Sequence, residues 1–460
     1  MGIANKFFHQ DDTVSKTLHR KISISPEELD FQQKEWNEVA EFLKEKLSTA
    51  TGHSVDTRLQ GSYQFKTQIR PKYKEQFDVD LGVNFIGKGN PPSDLRADKL
   101  KEEVNKALLA YSQKCPEESK VELPKERCNR ISYAERHFHI DTPVYYLDSA
   151  KDKRHLATKT KGWEASDPKA LYIWFKNSFD ELHRPRVRRQ IKYFKIWTNE
   201  LPEESRLSSI ALTVLVAEAY KGLPTHELTY DDDIFSALVE KLHARLTSNL
   251  KIANPADETG EDLNRLSDTQ CGTFMDALKR LDNICKRAIL AEDEILACIT
   301  WGEAFGHFFP MPDGMDARVE DDNKSGLPVA VTIPEISVRA IPKKNQNIQH
   351  TGKNKVGPIP KECEITFQVD NLAAYKPGTT FQWIVRNDGN EAYNINDLGH
   401  TNESEDGYAE ERSAYNGTHY MDCIAKWQGA IVGWQRVPVT INENLQVPLR
   451  NPPKKRYGPK

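Results

Sequence analysis

Cysteine is scarce: the chain has seven among 460 residues, an odd number with no CxxC pair. That argues against a disulfide framework and for reduced thiols. The Asn-x-Ser/Thr triplets at Asn402 and Asn416 are then chance matches rather than glycosylation sites. Long apolar runs are also missing. The longest, Ile210 to Ala217 within SSIALTVLVAEAY, falls far short of the roughly 20 residues needed to span a bilayer. The opening MGIANKFFHQDD lacks the charged-then-apolar pattern of a signal peptide. These absences predict a cytoplasmic protein with no membrane partner. Neither sign of charge dominates: Lys and Arg number 64 against 68 Asp and Glu, a net charge of −4. Any nucleic-acid contact must therefore be local, and a nucleic-acid activator is left open. There is no internal repeat and no long low-complexity segment. With 38% hydrophobic residues and about 100–200 residues per domain, the chain has room for two to four packed domains.

The first regular element is expected at Ser25-Pro26-Glu27-Glu28, a capping box with proline at the first helical position. Trp36, Val39, Leu43 and Leu47 then give one buried helical face, and Thr51-Gly52-His53 ends it. From about Asp56 to Phe85 the texture turns to short alternating stretches. FDVDLGVNF (77–85) reads as a strand with a partner in HFHIDTPVYY (137–146), and 94–111 between them reads as helix. Residues 167–310 are largely helical, with Asp167-Pro168 opening one helix and amphipathic stretches following at 187–199, 206–220, 232–249 and 269–300. PDGMDARVEDDNKSG (312–326) has linker composition, and a second, polar and basic break lies at 342–358. Beyond it EITFQV, FQWIVR and HYMDCIAKW…GWQRVPVTI alternate with period two, separated by turn signals such as Asn387-Asp388-Gly389.

The sharpest chemical signal is Gly61-Ser62 followed by Asp78-Val79-Asp80, with a third acid, Asp141, on a later strand. Residues i and i+2 of a strand share a face, so Asp78 and Asp80 project together and a neighbouring strand can bring Asp141 beside them. Three converging carboxylates repel one another, and divalent cations relieve that repulsion. Hard oxygen ligands suit Mg2+, or Mn2+, with nucleotide phosphates completing the shell. Two metals at such a site activate an attacking hydroxyl and stabilise a leaving pyrophosphate. The Gly61-Ser62 turn offers backbone N–H groups and a hydroxyl to a triphosphate.

The series LQGSYQFKTQIR, FDVDLGVNF and HIDTPVYY resembles the active site of the CD-NTase (cGAS/DncV-like) nucleotidyltransferases, over about residues 25–310. The C-terminal β segment, with its W-I-V-x-N-x-G start and Y-N-G-T-H-Y middle, resembles the AGS-C-type sensor domain of some bacterial members. The resemblance implies an α+β fold: a polymerase-β-like nucleotidyltransferase core with a helical lobe, followed by a small all-β sandwich. It implies synthesis of a cyclic di- or trinucleotide second messenger from NTPs in anti-phage signalling. Asp78 and Asp80 would hold both metals. Asp141 would bind the catalytic one and favour deprotonation of the attacking hydroxyl, while Gly61 and Ser62 would hold phosphate.

Downstream, HRPRVRRQIKYFKIW (183–197) sets Lys195, Arg188 and Lys192 along the edge of an apolar helix face, where a cleft wall would run. The family places a phosphate-binding lysine on such a helix, and Lys195 matches best, with Lys192 second. Arg184, Arg186 and Arg189 read as surface or regulatory. Ser209, at the start of an apolar helix, would reach phosphate by the same resemblance, although serines there commonly cap. Trp163 could stack on a base or pack in the core. His137 and His139 alternate with Asp141, but no zinc spacing joins them to Cys115 or Cys128. Asp231-Asp232-Asp233 reads as a helix cap.

The expected organisation is a nucleotidyltransferase core with a long N-terminal helix (1–195), a helical lobe (196–312), a linker (313–326), a β-sandwich (327–450) and a basic tail (451–460). A regulatory ligand or protein is expected on the β domain. Two rivals stand beside this reading: a linear-product or protein-modifying nucleotidyltransferase, and a nucleotide sensor without turnover.

Overall fold

In the computed structural model, which describes residues 2–10, 16–71, 75–115, 118–224, 228–257, 260–312 and 332–448, regular structure begins before Ser25. A short helix, α1 (Leu18–Ile22), is capped by Thr17, and Phe7, Phe8, Leu18 and Ile22 are buried. Phe8 meets Tyr193 edge-on at 5.5 Å. The N-terminal residues thus belong to the core, a role that their lack of periodicity concealed. Helix α2 (Pro26–Thr51) starts where the capping residues place it, with Ser25 Oγ accepting from the Glu28 N–H at 3.1 Å. It ends at Gly52, whose φ of 72° is left-handed. Val39, Ala40, Leu43 and Leu47 form its buried face.

The chain divides into two compact units, Met1–Ala291 and Glu292–Lys460. Among the described residues the first unit holds a seven-stranded sheet: β1 (Ser54–Gln60), β2 (Phe77–Gly87), β3 (Lys120–Val121), β4 (Cys128–Tyr133), β5 (Phe138–Asp148), β6 (Lys153–Ala157) and β7 (Trp163–Ala165). The order is β1-β2-β5-β4-β3, with β6 on β5 and β7 on β6. The pair β2–β5 is parallel, as its crossover requires, and that crossover carries α4 (Ala97–Ser112). Leu43 and Leu47 of α2, Leu100, Val104 and Leu108 of α4, and Val79, Leu81, Val83 and Ile140 of the strands share one core. The opposite strand face carries the acids.

A short helix α3 (Gly61–Phe65) follows β1. Beyond the sheet come α5 (Pro168–Ser178), α6 (His183–Thr198), α7 (Ser209–Lys221), α8 (Asp231–Ser248) and α9 (Asp268–Leu290). The expected helix at 269–300 is two helices: α9 ends at Leu290, and α10 (Glu294–Phe305) restarts after Asp293, whose carboxylate accepts from the Leu296 N–H at 2.9 Å. That break is also the boundary between the units, so α10 belongs to the second.

In the second unit β10 (Val356–Ile359), β12 (Thr379–Arg386), β13 (Thr401–Ser404), β15 (Gly417–Trp427) and β16 (Ala430–Ile441) form one sheet, and β8 (Ile336–Pro342), β9 (His350–Lys353), β11 (Cys363–Val369) and β14 (Tyr408–Arg412) the other. A core of Val338, Ile365, Phe367, Trp383, Met421 and Val437 fills the space between them. The all-β sandwich is as expected, but the break at 342–358 contains β9 and β10. Asn387-Asp388-Gly389 leads into a short helix, α11 (Asn390–Asn394), rather than closing a hairpin. The expected linker at 313–326 and tail at 451–460 lie outside the described residues. No helix among the described residues is long and apolar enough to cross a membrane.

Candidate active site

Strand register assembles the acids. Across the parallel pair β2–β5, Asp80 lies opposite Asp141 and Asp78 opposite His139; across β4–β5, Arg130 lies opposite Asp141. Gln60, the last residue of β1, is opposite Asp80, and the chain then turns into α3 at Gly61. Gly61 has a φ of +57°, and a Cβ built there would lie 1.9 Å from Asp80 Oδ2. Only glycine allows this turn to close over that carboxylate. The Gly61-Ser62 step and the acid pair are therefore one construction.

The three carboxylates experience different fields. Burial, then the charges of Asp78 and Asp141, push the Asp80 carboxyl up to about 8. Burial alone would also raise Asp141, but the Arg130 guanidinium grips it with both prongs, at 2.5 and 2.8 Å, and holds it below its ordinary value. Asp78 Oδ1 is buried without an aligned hydrogen bond, although His139 Nε2 lies 3.0 Å away. One ligand atom each from Asp78, His139 and Asp141 falls within 4.8 Å of the others, a group able to hold a metal ion. A buried carboxylate oxygen lacking a donor, on a face where acids repel, fits a divalent cation.

Beside the acids lies a cavity of about 270 Å3, lined among others by Ser62, Gln68, Gln76, Asp78, Lys195 and Ser209. Lys195 is buried, and its Nζ donates to Thr67 O at 3.0 Å and Thr67 Oγ1 at 3.2 Å. Burial, then the charge of Lys192, bring it down to about 7 against the opposing pull of Asp80 and Asp78. Ser209 is the first residue of α7, while the capping is done by Ser208, whose Oγ accepts from the Ala211 N–H. Lys192 donates to Ser23 Oγ at 3.1 Å and does not line this cavity. Gly61, Ser62, Asp78, Asp80, Asp141, Lys195 and Ser209 thus converge on one region, with Lys192 one helical turn from Lys195.

Other expectations resolve differently. Trp163 packs against the sheet core, and its Nε1–H donates to Leu95 O at 3.0 Å. His137 stands in a left-handed turn ahead of β5 and does not share the strand face of His139. Asp231 to Asp233 occupy the first turn of α8 rather than its cap. Asp231 takes a bidentate ion pair from Arg189 at 2.6 and 2.8 Å, which makes Arg189 part of the interior rather than a surface cation. Arg130, His139, Gln68 and Gln76 were not among the expected site residues. The i, i+2 spacing of His139 from Asp141 was visible; the pairing of Arg130 with Asp141 depends on β4 register, which no local pattern encodes.

Residues 55–145 match the family described as cyclic GMP-AMP synthase DncV-like, nucleotidyltransferase domain. Residues 318–442 match the adenylyl/guanylyl and SMODS C-terminal sensor domain. The chain is 30% identical over 441 residues to a protein of Escherichia albertii, cyclic GMP-AMP synthase, covering 94% of this chain and 95% of that one. The crystal structure of Vibrio cholerae DncV cyclic AMP-GMP synthase shares 17% identity over 67% of this chain and 98% of its own, with a TM-score of 0.57. The Escherichia coli DncV structure in its 3'-deoxy GTP bound form shares 18% over 66% and 96%, with a TM-score of 0.55; these two likenesses speak to the fold. From the identity to the Escherichia albertii protein along nearly its whole length, the chain belongs to the DncV-like nucleotidyltransferases, a family of cyclic-oligonucleotide-synthesising enzymes, here with an AGS-C sensor domain.

Proposed function

We propose that the protein makes a cyclic di- or trinucleotide second messenger from NTPs in bacterial anti-phage signalling, in the cytoplasm, with Mg2+ or Mn2+ held by Asp78, Asp80 and Asp141. The observation that carries the reading is the strand face on which three acids meet beside the Gly61-Ser62 turn and the Lys195 cavity. When bound, the divalent cations would neutralise this face and polarise the α-phosphate and attacking hydroxyl. Arg130 keeps Asp141 ionised and so available as a ligand. Gly61 and Ser62 would present backbone N–H groups and a hydroxyl to the triphosphate, with Lys195 and Ser209 meeting its outer oxygens and Lys192 in support.

In the reaction a ribose hydroxyl oxygen of one nucleotide bonds to the α-phosphorus of another. The bond from that phosphorus to the bridging oxygen breaks, pyrophosphate leaves with the electron pair, and the hydroxyl proton passes to solvent. Repetition of this attack within the same cleft, one bond per nucleotide, closes the ring.

We assign the core to 1–195, the helical lobe to the rest of the first unit as far as Ala291 rather than to 312, the β domain to 327–450, and to that domain a regulatory ligand or protein. The rival sensor without turnover would have little reason to keep all three repelling acids. The test is incubation of purified full-length protein with α-labelled NTPs, singly and in mixtures, with Mg2+ or Mn2+, followed by phosphatase and linkage-specific nucleases. A product that keeps all its label through phosphatase is expected; a product that gives up the label of a terminal 5'-phosphate and keeps only that of its internal linkages would favour a linear-product enzyme, and no product under any mixture would favour the sensor.

A further inference from the structure

The group that could hold a metal contains a histidine. His139 is buried, and its two ring nitrogens have different neighbours. Nδ1 lies 2.9 Å from Gln76 Oε1. An amide oxygen only accepts, so Nδ1 is the nitrogen that donates to Gln76, and in the neutral imidazole Nε2 is the one with a lone pair to offer. Nε2 then lies 3.0 Å from Asp78 Oδ1, which itself takes no aligned hydrogen bond. A ring nitrogen and a carboxylate oxygen this close in a half-buried site need a proton or a metal cation between them. Their separation equals the distance between adjacent ligand atoms of an octahedral ion whose bonds are about 2.1 Å. A carboxylate oxygen of Asp141 completes the group within 4.8 Å. An imidazole whose far nitrogen is held by an amide or carbonyl oxygen is the usual arrangement of a metal-ligating histidine.

We propose that His139 Nε2 is a direct ligand of the divalent cation at Asp78, that Gln76 is the positioning residue that fixes its tautomer, and that the site therefore favours Mn2+ over Mg2+. This rests on the reading of the acid face as the metal-dependent site and specifies its cation. An imidazole nitrogen is a good ligand for first-row transition ions and a poor one for Mg2+, which prefers oxygen. Asp78 and Asp141 supply the hard oxygens that Mn2+ accepts equally. The repulsion among the acids alone would make no such distinction.

The experiment is electron spin echo envelope modulation of the full-length protein loaded with Mn2+, together with calorimetric titration of Mn2+ and of Mg2+. The wild type is expected to show nitrogen modulation of imidazole type and to bind Mn2+ at least tenfold more tightly than Mg2+. In His139→Asp the modulation should vanish and the two affinities should approach each other. Gln76→Ala should keep the modulation but weaken Mn2+ binding several-fold while leaving Mg2+ affinity nearly unchanged. Asp78→Asn separates this proposal from the reading beneath it. Loss of Mn2+ binding in that variant, with no nitrogen modulation in the wild type, would overturn histidine ligation and leave the acid site standing. Mn2+ bound equally well by Asp78→Asn and wild type would overturn both. Modulation that persists in His139→Asp would place the nitrogen elsewhere and overturn the assignment.

Discussion

Asp80 in the first unit and Asp422 in the second are both carboxylates withdrawn from water among charged neighbours, and their surroundings are opposite. Asp422, 1% exposed, sits between Arg386 at 2.6 Å and Arg436 at 2.6 and 2.8 Å. Burial would raise it, but the two guanidinium groups hold it at about 2. Arg386 also donates to the carbonyls of His307 and Phe309, tying β12 to the segment after α10 within its unit. Asp80 has Asp78 and Asp141 for near neighbours and is pushed up to about 8. An acid already enclosed by cations is scaffold. An acid whose nearest charges are other acids is stabilised by what binds there, and such sites are where function concentrates.

The sharpest way to break this comparison is to neutralise one acid of each kind. Asp78→Asn or Asp80→Asn is expected to lower pyrophosphate release by roughly 1000-fold or more, while the metal-free melting temperature stays at or above that of wild type, since like-charge repulsion has been removed. Retained turnover in both single variants would remove these residues from the site.

Asp422→Asn should do the reverse. It leaves two buried guanidinium groups without an anion, and loss of one partner from such a buried group costs about 3–5 kcal/mol, to be read as a lowered denaturant midpoint. A midpoint equal to wild type would show that the cluster contributes no stability.

Because α10 is apolar around its circumference, with Ile295, Ile299, Trp301 and Phe305 buried, the two possible truncations should differ. Ending the chain at Ala291 should give more soluble protein than ending it at 326, which would retain α10 without its β strands. Equal yields would assign α10 to the first unit instead.

The pH dependence separates the two acids further. The folded value of Asp422, about 2, lies below its ordinary 3.8, so its ion pairs stabilise the fold fully above about pH 4, and that contribution is lost as pH falls toward 2. Denaturant unfolding at pH 5 and pH 2.5 should show a larger loss in wild type than in Asp422→Asn. A smaller effect is expected for Lys195→Ala: KM for NTP about tenfold higher, with little change in the metal concentration needed for half-maximal rate. Unchanged KM would turn attention to Lys192.

Much of the site was legible because β periodicity is strict. Asp78 and Asp80 share a face by spacing alone, and the Gly61-Ser62 turn is short enough in sequence to be associated with them. Arg130 was not legible, because its meeting with Asp141 depends on β4 pairing beside β5, a contact set by the whole sheet. His139 was visible as a same-face residue, but its significance depends on Gln76 and on parallel register with Asp78. The division between α9 and α10 escaped notice because Ala291-Glu292-Asp293 holds no glycine or proline and only the cap at Asp293 marks it. The strands at 350–359 escaped because short edge strands with basic and polar residues look like a break. The two N-terminal segments around Phe8 and Leu18 are too short for periodicity to register, although Phe8 and Leu18 are themselves fully buried.

The claim that the acid face of the first unit is completed by a cation and nucleotide, while the buried acid of the second is already complete, is tested most directly by hydrogen exchange. Full-length protein is compared with and without Mg2+ and a non-hydrolysable NTP. Slower exchange is expected in peptides covering Gly61–Phe65 and the Phe77–Asp80 end of β2, with little change in peptides covering β15 around Asp422. Unchanged exchange at Gly61–Phe65 and Phe77–Asp80, at saturating metal and nucleotide, would contradict it.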